Sequence, residues 1–421
     1  MNPMLRYRSF KVEIDPTNEQ KQAIARYQGT VRFVYNLYLD ENQKRYALEK
    51  EQAEKEQRKP KSKLMKPKDF YTWLKKEYIP QSGNNWINEC PSKAVRSAIN
   101  NAYSAYRKFF KGQCGFPKFK KKNSLRGCKV YFCRNGKEDR PIVSTRHYVQ
   151  IPKLGRVHLK EKGYIPSYEK GRASIVKGHY CCERGRWYLS VLVEYPDCVV
   201  AGYHKNENGL GIDLGLKELA ILSDGTKIEN INKKRPMKRR KKKHRHLQRV
   251  VSRKLEAYKK RKKELPRGEY PSRKKLDRAI AALTACQRKI NSARQAHRKK
   301  SVALIMNKYP SFVTMEDLNV SGLMKNRRLA RSIGEAQWYL FRKDVEFACA
   351  RRKVEFRLAD RFYASSKTCH ECGHVHKGLK LSDRTFVCPV CGHTEDRDVQ
   401  AAQNLRDTKN CRVLELETEM F

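Results

Sequence analysis

Three acidic positions lie far apart in this chain, each where a carboxylate is costly unless something cationic meets it. Asp213 stands alone in the apolar run Gly209-Leu-Gly-Ile-Asp-Leu-Gly215. If that run is a strand, Ile212 and Leu214 share one face and Asp213 takes the other. A lone carboxylate on a core strand needs a cation or hydrogen bonds. Glu316 ends a second apolar run, Ser311-Phe-Val-Thr-Met-Glu-Asp-Leu-Asn319, where a second inward carboxylate would be wanted. Asp398 opens a third segment, Asp396-Arg-Asp-Val-Gln-Ala-Ala-Gln-Asn404, that reads as the start of a helix. Ala401 and Ala402, three and four residues on, share the helix face of Asp398 and are small enough to let it lie close to a sheet. Three carboxylates from separate segments suffice to hold two divalent ions, and hard oxygen ligands favour Mg²⁺ or Mn²⁺. Such a pair activates water and stabilises both oxygens of an in-line phosphodiester cleavage.

Between Glu316 and Asp398 stand four cysteines, Cys369-His-Glu-Cys372 and Cys388-Pro-Val-Cys391, with fifteen residues between the pairs. That spacing is the signature of one tetrahedral Zn²⁺. Gly373 and Gly392 follow the pairs, as knuckle turns require. Four thiolates close the site, so the zinc is structural and His370, His374, His376 and His393 are left as surface or nucleic-acid contacts. Fourteen cysteines in 421 residues, behind an N-terminus without a signal peptide's apolar segment, argue for reduced thiols and metal ligation.

The elements that must carry these groups follow from pattern. Residues 5–14 alternate as a strand, and 17–47 repeat apolar residues at helical spacing. Residues 48–68 are charged and read as a linker or helix extension. A second helical block covers about 69–111 and ends in an aromatic stripe, Tyr103, Tyr106, Phe109 and Phe110. From Gly115 to about 197 the texture is β, with strands at 128–133, 147–151, 156–159, 174–180 and 187–194. Basic and aromatic residues interleave there, which suits an oligonucleotide-binding barrel. Two further strands flank Leu216–Glu218. Residues 231–300 then carry 29 Lys+Arg against 4 Asp+Glu, half of the chain's net charge of +50. Pro266 and Pro271 around Gly268 break this stretch into two helices, read as a hairpin that tracks phosphates. Charge on this scale calls for a polyanion, and nucleic acid is the usual one. No apolar run approaches the roughly 20 residues of a membrane-spanning helix.

With these motifs in order, the chain resembles the TnpB family. The resemblance rests on Gly-Ile-Asp-Leu-Gly, on Met-Glu-Asp-Leu-Asn followed by Lys325-Asn-Arg-Arg-Leu-Ala, and on Ser365-Ser-Lys-Thr-Cys-His-Glu-Cys-Gly. It rests too on the second Cys-x2-Cys-Gly and on the Asp-Arg-Asp-x-x-Ala-Ala-x-Asn ending. Arg32-Phe-Val-Tyr-Asn36, Tyr106-Arg-Lys-Phe-Phe110 and Gly115-Phe-Pro-Lys-Phe119 look like the family's N-terminal half. The resemblance implies a multidomain α+β protein: a helical recognition lobe (16–112), an oligonucleotide-binding-like β-barrel wedge (1–15 and 113–200) and an RNase H-like RuvC nuclease domain. The last would cover 205–365 and 396–410, with the basic insert at 231–300, a zinc-binding insert at 366–395 and a tail at 411–421. It implies an RNA-guided endonuclease, related to type V CRISPR effectors, that uses a transposon-end guide RNA to cut double-stranded DNA beside a short adjacent motif. Asp213, Glu316 and Asp398 would be its catalytic metal ligands, and Cys369, Cys372, Cys388 and Cys391 its zinc ligands. Asp398 is preferred to Asp396 because it stands three residues before the paired alanines. Gln400 departs from the family's Asn, for which a modest effect is expected. Ser92 and Arg96 lie where relatives contact the adjacent motif, and Lys118, Lys120, Arg327 and Arg328 complete the candidate nucleic-acid contacts. A cytoplasmic, nucleoid-associated protein of prokaryotic type follows, with no membrane and no obligate protein partner. The rival readings are a nuclease-inactive, RNA-guided transcriptional repressor, which would lack a carboxylate, a DNA-joining transposase and a plain nucleic-acid-binding protein.

Overall fold

The computed structural model describes residues 5–58, 64–121, 128–134, 141–169, 172–183, 185–196, 208–266, 268–380 and 383–414. The last residues of the acidic tail, 415–421, lie outside them. The chain divides into two compact units, Met1–Cys198 and Val199–Met420.

In the first unit the alternating segment forms β1 (Leu5–Asp15), burying Phe10, Val12 and Ile14 on one face. Thr17 and Gln20 then make a reciprocal capping box that starts α1 (Asn18–Lys55). The charged stretch thus continues as helix to Lys55. Pairs four residues apart line it, Asp40–Lys44, Glu41–Arg45, Lys50–Glu54 and Glu51–Lys55. The second helical block is broken into α2 (Pro67–Trp73), a π-turn at Leu74–Tyr78, α3 (Ile79–Ser82) and α4 (Ser92–Phe110). Beyond it come β2 (Val130–Cys133), β3 (Tyr148–Ile151), β4 (Gly155–Leu159), β5 (Ser174–Glu183) and β6 (Arg186–Pro196). All pairings are antiparallel, in the order β2-β5-β6-β1-β4-β3. Single bridges Ile142–Ile175 and Ser144–Val149 link the β3 end back to β5, so the sheet curls on itself. One core joins this sheet to α1, α2 and α4, with Tyr38, Phe70 and Tyr180 among its largest buried side chains.

The second unit is built on a mixed sheet. Strands β7 (Leu210–Leu214), β8 (Glu218–Leu222) and β9 (Lys227–Glu229) form an antiparallel meander. The basic stretch follows as α5 (Arg235–Glu264) and α6 (Lys274–Met306), separated where the prolines stand. Their small shared core is Met237, Cys286 and Ile290. Strand β10 (Phe312–Glu316) returns parallel to β7. Then come α7 (Val320–Leu323), α8 (Ala330–Ala336), α9 (Trp338–Arg352) and β11 (Glu355–Ala359), parallel to β10. A two-stranded ribbon, β12 (Thr385–Val387) with β13 (Thr394–Asp396), lies in the cysteine segment. The chain closes with α10 (Arg397–Asp407) and β14 (Cys411–Val413). Sheet order is β14-β11-β10-β7-β8-β9. Ile212, Val313 and Met315 face a core with Phe341 and Val345 of α9 and Ile305 of α6. By the period of two, Gly211, Asp213, Thr314 and Glu316 face the other way, toward α10. Among the described residues no helix is long and apolar enough to cross a membrane.

Candidate active site and metal centre

Asp213 and Glu316 leave the sheet on the same face from neighbouring central strands, β7 and β10. That face can receive them because α10 lies unusually close. A Cβ on Gly211 would fall 1.9 Å from the Ala402 carbonyl oxygen and 2.5 Å from the Arg406 nitrogen, so only glycine fits. Ala401 and Ala402 are fully buried in this contact. The helix brings its first turn over Asp213. Asp396 accepts a hydrogen bond from the Asp398 N–H at 3.0 Å and so caps the helix, while Lys227 holds Asp396 at 2.7 Å. Asp396 is thereby occupied, and Asp398 is the one of the two that joins the cluster.

Asp213 stands in the field of the other two carboxylates. Burial first, then the charges of Glu316 and Asp398, push the Asp213 carboxyl well above the usual carboxylate range, against the pull of Arg397. Burial also raises Glu316, although Ser365 and Asp213 donate hydrogen bonds to it, Ser365 from 3.1 Å. Burial and crowding therefore favour the protonated form at both Asp213 and Glu316. Arg397 and Arg384 approach Asp398 at 3.3 and 3.6 Å. Crowded carboxylates that retain a proton are a donor set suited to hard divalent cations, which would displace it.

The neighbouring acid, Asp317, takes no part in the cluster: Arg342 and Arg361 bind its two carboxylate oxygens at 2.9 and 2.8 Å. Three supporting residues had no assigned partner in the sequence reading. Ser365, buried, holds Glu316. Gln400, fully buried, donates to the Thr368 carbonyl at 2.7 Å, and Asn404 donates to the Ser365 and Thr368 carbonyls at the same distance. All three lay inside recognisable motifs, but neither spacing nor residue type revealed what they would touch.

The four cysteine sulfurs lie within 4.8 Å of one another. Cys369–Cys391 and Cys372–Cys388 are 3.6 and 3.5 Å apart. A tetrahedral site with metal–sulfur bonds near 2.3 Å requires edges of about 3.8 Å, so the cluster has the size of a single-ion cage. Gly373 and Gly392 both have φ near +73°, as the knuckles demand. The backbone N–H of Cys391 points at the Cys388 sulfur, 3.5 Å away. Phe386 packs fully buried against Cys369 and Cys388. Two of the histidines read as surface groups are half-buried beside carboxylates: His370 lies 3.6 Å from Asp407 and His393 3.5 Å from Glu395.

The candidate nucleic-acid contacts fall on both units. Ser92 is exposed in the first turn of α4, and Arg96, one turn on, lies over the Tyr71 ring at 4.5 Å. Lys118 is exposed. Lys120 is half-buried with its ammonium 3.7 Å from the centre of the Tyr35 ring, and burial lowers its pKa. Its backbone is clamped by Asn36 at 2.8 and 3.0 Å. In the second unit Arg327 and Arg328 are exposed in the turn between α7 and α8.

Three families match parts of the chain. Residues 190–327 match one described as "Probable transposase", residues 338–405 a "Cas12f1-like, TNB domain" and residues 4–51 a "Helix-turn-helix domain". The last span folds here as β1 and most of the single helix α1. A Streptomyces pristinaespiralis protein is 29% identical over 94% of this chain and 88% of its own length. InsQ of Escherichia coli (strain K12) is 26% identical over 96% and 92%. Both bear the curated name "Putative RNA-guided DNA endonuclease". Among solved structures, a Cas12f1–sgRNA–target DNA complex contains a chain that superposes with a TM-score of 0.56 at 11% identity, over 98% of this chain and all of that one.

Proposed function

We propose that this chain, a member of the TnpB family, is an RNA-guided DNA endonuclease. The observation that carries the chemistry is the convergence of Asp213, Glu316 and Asp398 on one face of the second unit's sheet. Guide pairing would select the target sequence, while the protein holds the heteroduplex backbone and reads a short adjacent motif. The guide would come from the transposon end. Asp213, Glu316 and Asp398 would hold the catalytic ions. Two Mg²⁺ or Mn²⁺ bound there would supply an activated water and charge stabilisation for phosphodiester hydrolysis. The chain's own part is placement. Ser365 orients Glu316, the Asp396 cap and Lys227 set the first turn of α10, and Arg397 pairs with Asp398 at 3.3 Å.

The mixed sheet with carboxylates on adjacent central strands supports assigning the second unit to a RuvC-type nuclease domain. The curled antiparallel sheet with α1 and α4 supports the wedge and recognition assignments in the first. The cysteine cage would take one structural Zn²⁺. Its first pair is tied to α10 through the Thr368 carbonyl, so a folded cage would also hold the helix that bears Asp398.

The test is to purify the protein from cells carrying its native locus, sequence the bound RNA, and challenge matched plasmid with wild type and Asp213→Ala. Wild type should cut and Asp213→Ala should bind without cutting. Heterogeneous RNA with no locus-flanking guide would refute the guided reading. Cutting by Asp213→Ala would refute the site. The repressor reading predicts binding without cutting by wild type, and the complete acidic set gives it no support.

A further inference from the structure

Beside Glu316 opens a cavity of about 440 Å³, with Tyr339, Arg342 and Arg361 also in its wall. That volume suits a single nucleotide and is too small for a duplex. Its wall is unusual in charge. Arg342 Nη1 and Arg361 Nη2 take the two oxygens of Asp317 at 2.9 and 2.8 Å, and Arg361 Nε also donates to the Asp317 carbonyl at 3.4 Å. One carboxylate between two guanidiniums leaves a net positive charge next to Glu316, with N–H donors to spare. Arg342 Nε is buried and has no acceptor within the protein. Neutralising Asp317 needs only one arginine. The second leaves a positive charge free to meet a further anion.

Two rings accompany this charge. Tyr339 is 52% exposed, with Arg342 5.7 Å from its centre. Phe362 follows Arg361 directly and is 89% exposed, although its N–H is tied to Asp360 at 2.8 Å. A phenylalanine this exposed on a pinned turn makes little contribution to any core and offers a face to a planar partner.

We propose that this cavity seats the nucleotide adjoining the scissile phosphate of the DNA strand being cut. Arg361 and Arg342 take its non-scissile phosphate as a forked pair, and the rings of Tyr339 and Phe362 offer its base a stacking face. Asp317 is a positioning residue that fixes both forks. The inference rests on the endonuclease reading and adds how the strand is aligned once it has been delivered.

The test uses the intact ribonucleoprotein and matched duplexes in which single phosphates flanking the cut are replaced, one at a time, by uncharged methylphosphonate. Wild type should slow at one flanking position, by about tenfold for the loss of a charge-assisted fork. Arg361→Lys keeps the charge and loses the fork. It should be slow on unmodified DNA and be slowed less than wild type by the substitution, with target binding in Mg²⁺-free buffer unchanged. Phe362→Ala removes no buried contact and should lose wild type's sensitivity to an abasic nucleotide at the same position. If the Arg361→Lys and methylphosphonate effects multiply, or Phe362→Ala responds to the abasic site as wild type does, the proposal is overturned. Wild-type complex that leaves unmodified matched DNA uncut overturns the endonuclease reading, and this site with it.

Discussion

Asp213 holds its proton more tightly in the folded chain than an unfolded chain would, because burial and two neighbouring carboxylates disfavour its charge. The direction fixes the sign of its effect on stability. Above the unfolded value of about 3.9, the folded state must either keep the proton or bear an unfavourable charge, so stability without divalent ions falls as pH rises through the raised value. Asp213→Asn removes that charge. Its thermal midpoint in divalent-free buffer should exceed wild type's at neutral pH and converge with it in acid, while cleavage is lost; an equal or lower midpoint at neutral pH would contradict the reading. Because an ion must displace the proton, the Mg²⁺ concentration giving half-maximal cleavage should fall as pH rises. Ser365 acts one step further out. Ser365→Ala should cut about 10–100-fold more slowly, the usual cost of removing a metal ligand's hydrogen-bond partner, with target binding intact. None of these partners follows from the residue's own type. A serine two residues before a lysine says nothing of the carboxylate it meets 49 positions upstream.

Helix α10 is the element on which the site depends, and its seat is glycine-sized. Gly211→Ala places a Cβ against backbone, not against a side chain able to turn away, so strand and helix must separate. The expected loss is about 1–3 kcal/mol in denaturant unfolding, with a fall in cleavage as Asp398 moves. The paired alanines signalled a close helix, but which strand residue it would meet depended on the sheet. The cysteine insert is the other element with a sharp expectation. Cys372→Ser should release one metal ion per chain and loosen α10 through Thr368, seen as weaker protection of its amides from exchange; full metal content in the variant would reassign the ligand. Sequence periodicity served well where elements are regular. The two basic helices break at the prolines as expected, and the strands of the first unit fall within a few residues of the alternating runs. On the charged stretch after residue 47 it left a linker and a helix extension both open, and the structure carries the helix to Lys55. Composition reports solvation there, whereas the ion pairs that sustain the helix depend on spacing.

Across the chain, the net charge of +50 gives a non-specific attraction for nucleic acid on which any guided selectivity must act. Half of it lies on the α5–α6 hairpin, whose small core leaves most of its cations facing solvent. Exchanging four exposed lysines of α5 for glutamine should flatten the dependence of log affinity on log salt, by about 0.7–0.9 for each phosphate no longer neutralised. An unchanged slope would mean that the hairpin does not track the backbone.

By itself the sequence determined the kinds of chemistry available: oxygen donors from three segments, a four-thiolate cage and a polyanion as partner. It also indicated the strands of the first unit and the two basic helices, because periodicity and turn residues are local. Only the tertiary structure showed what engages the other acid of each pair. Asp317 is taken by two arginines and Asp396 by a helix cap and Lys227, which leaves Glu316 and Asp398 to meet Asp213. Nor did the sequence show that an arginine-lined cavity adjoins Glu316. Side-chain partners come from strand register and helix seating, and both are set by contacts between residues scores of positions apart.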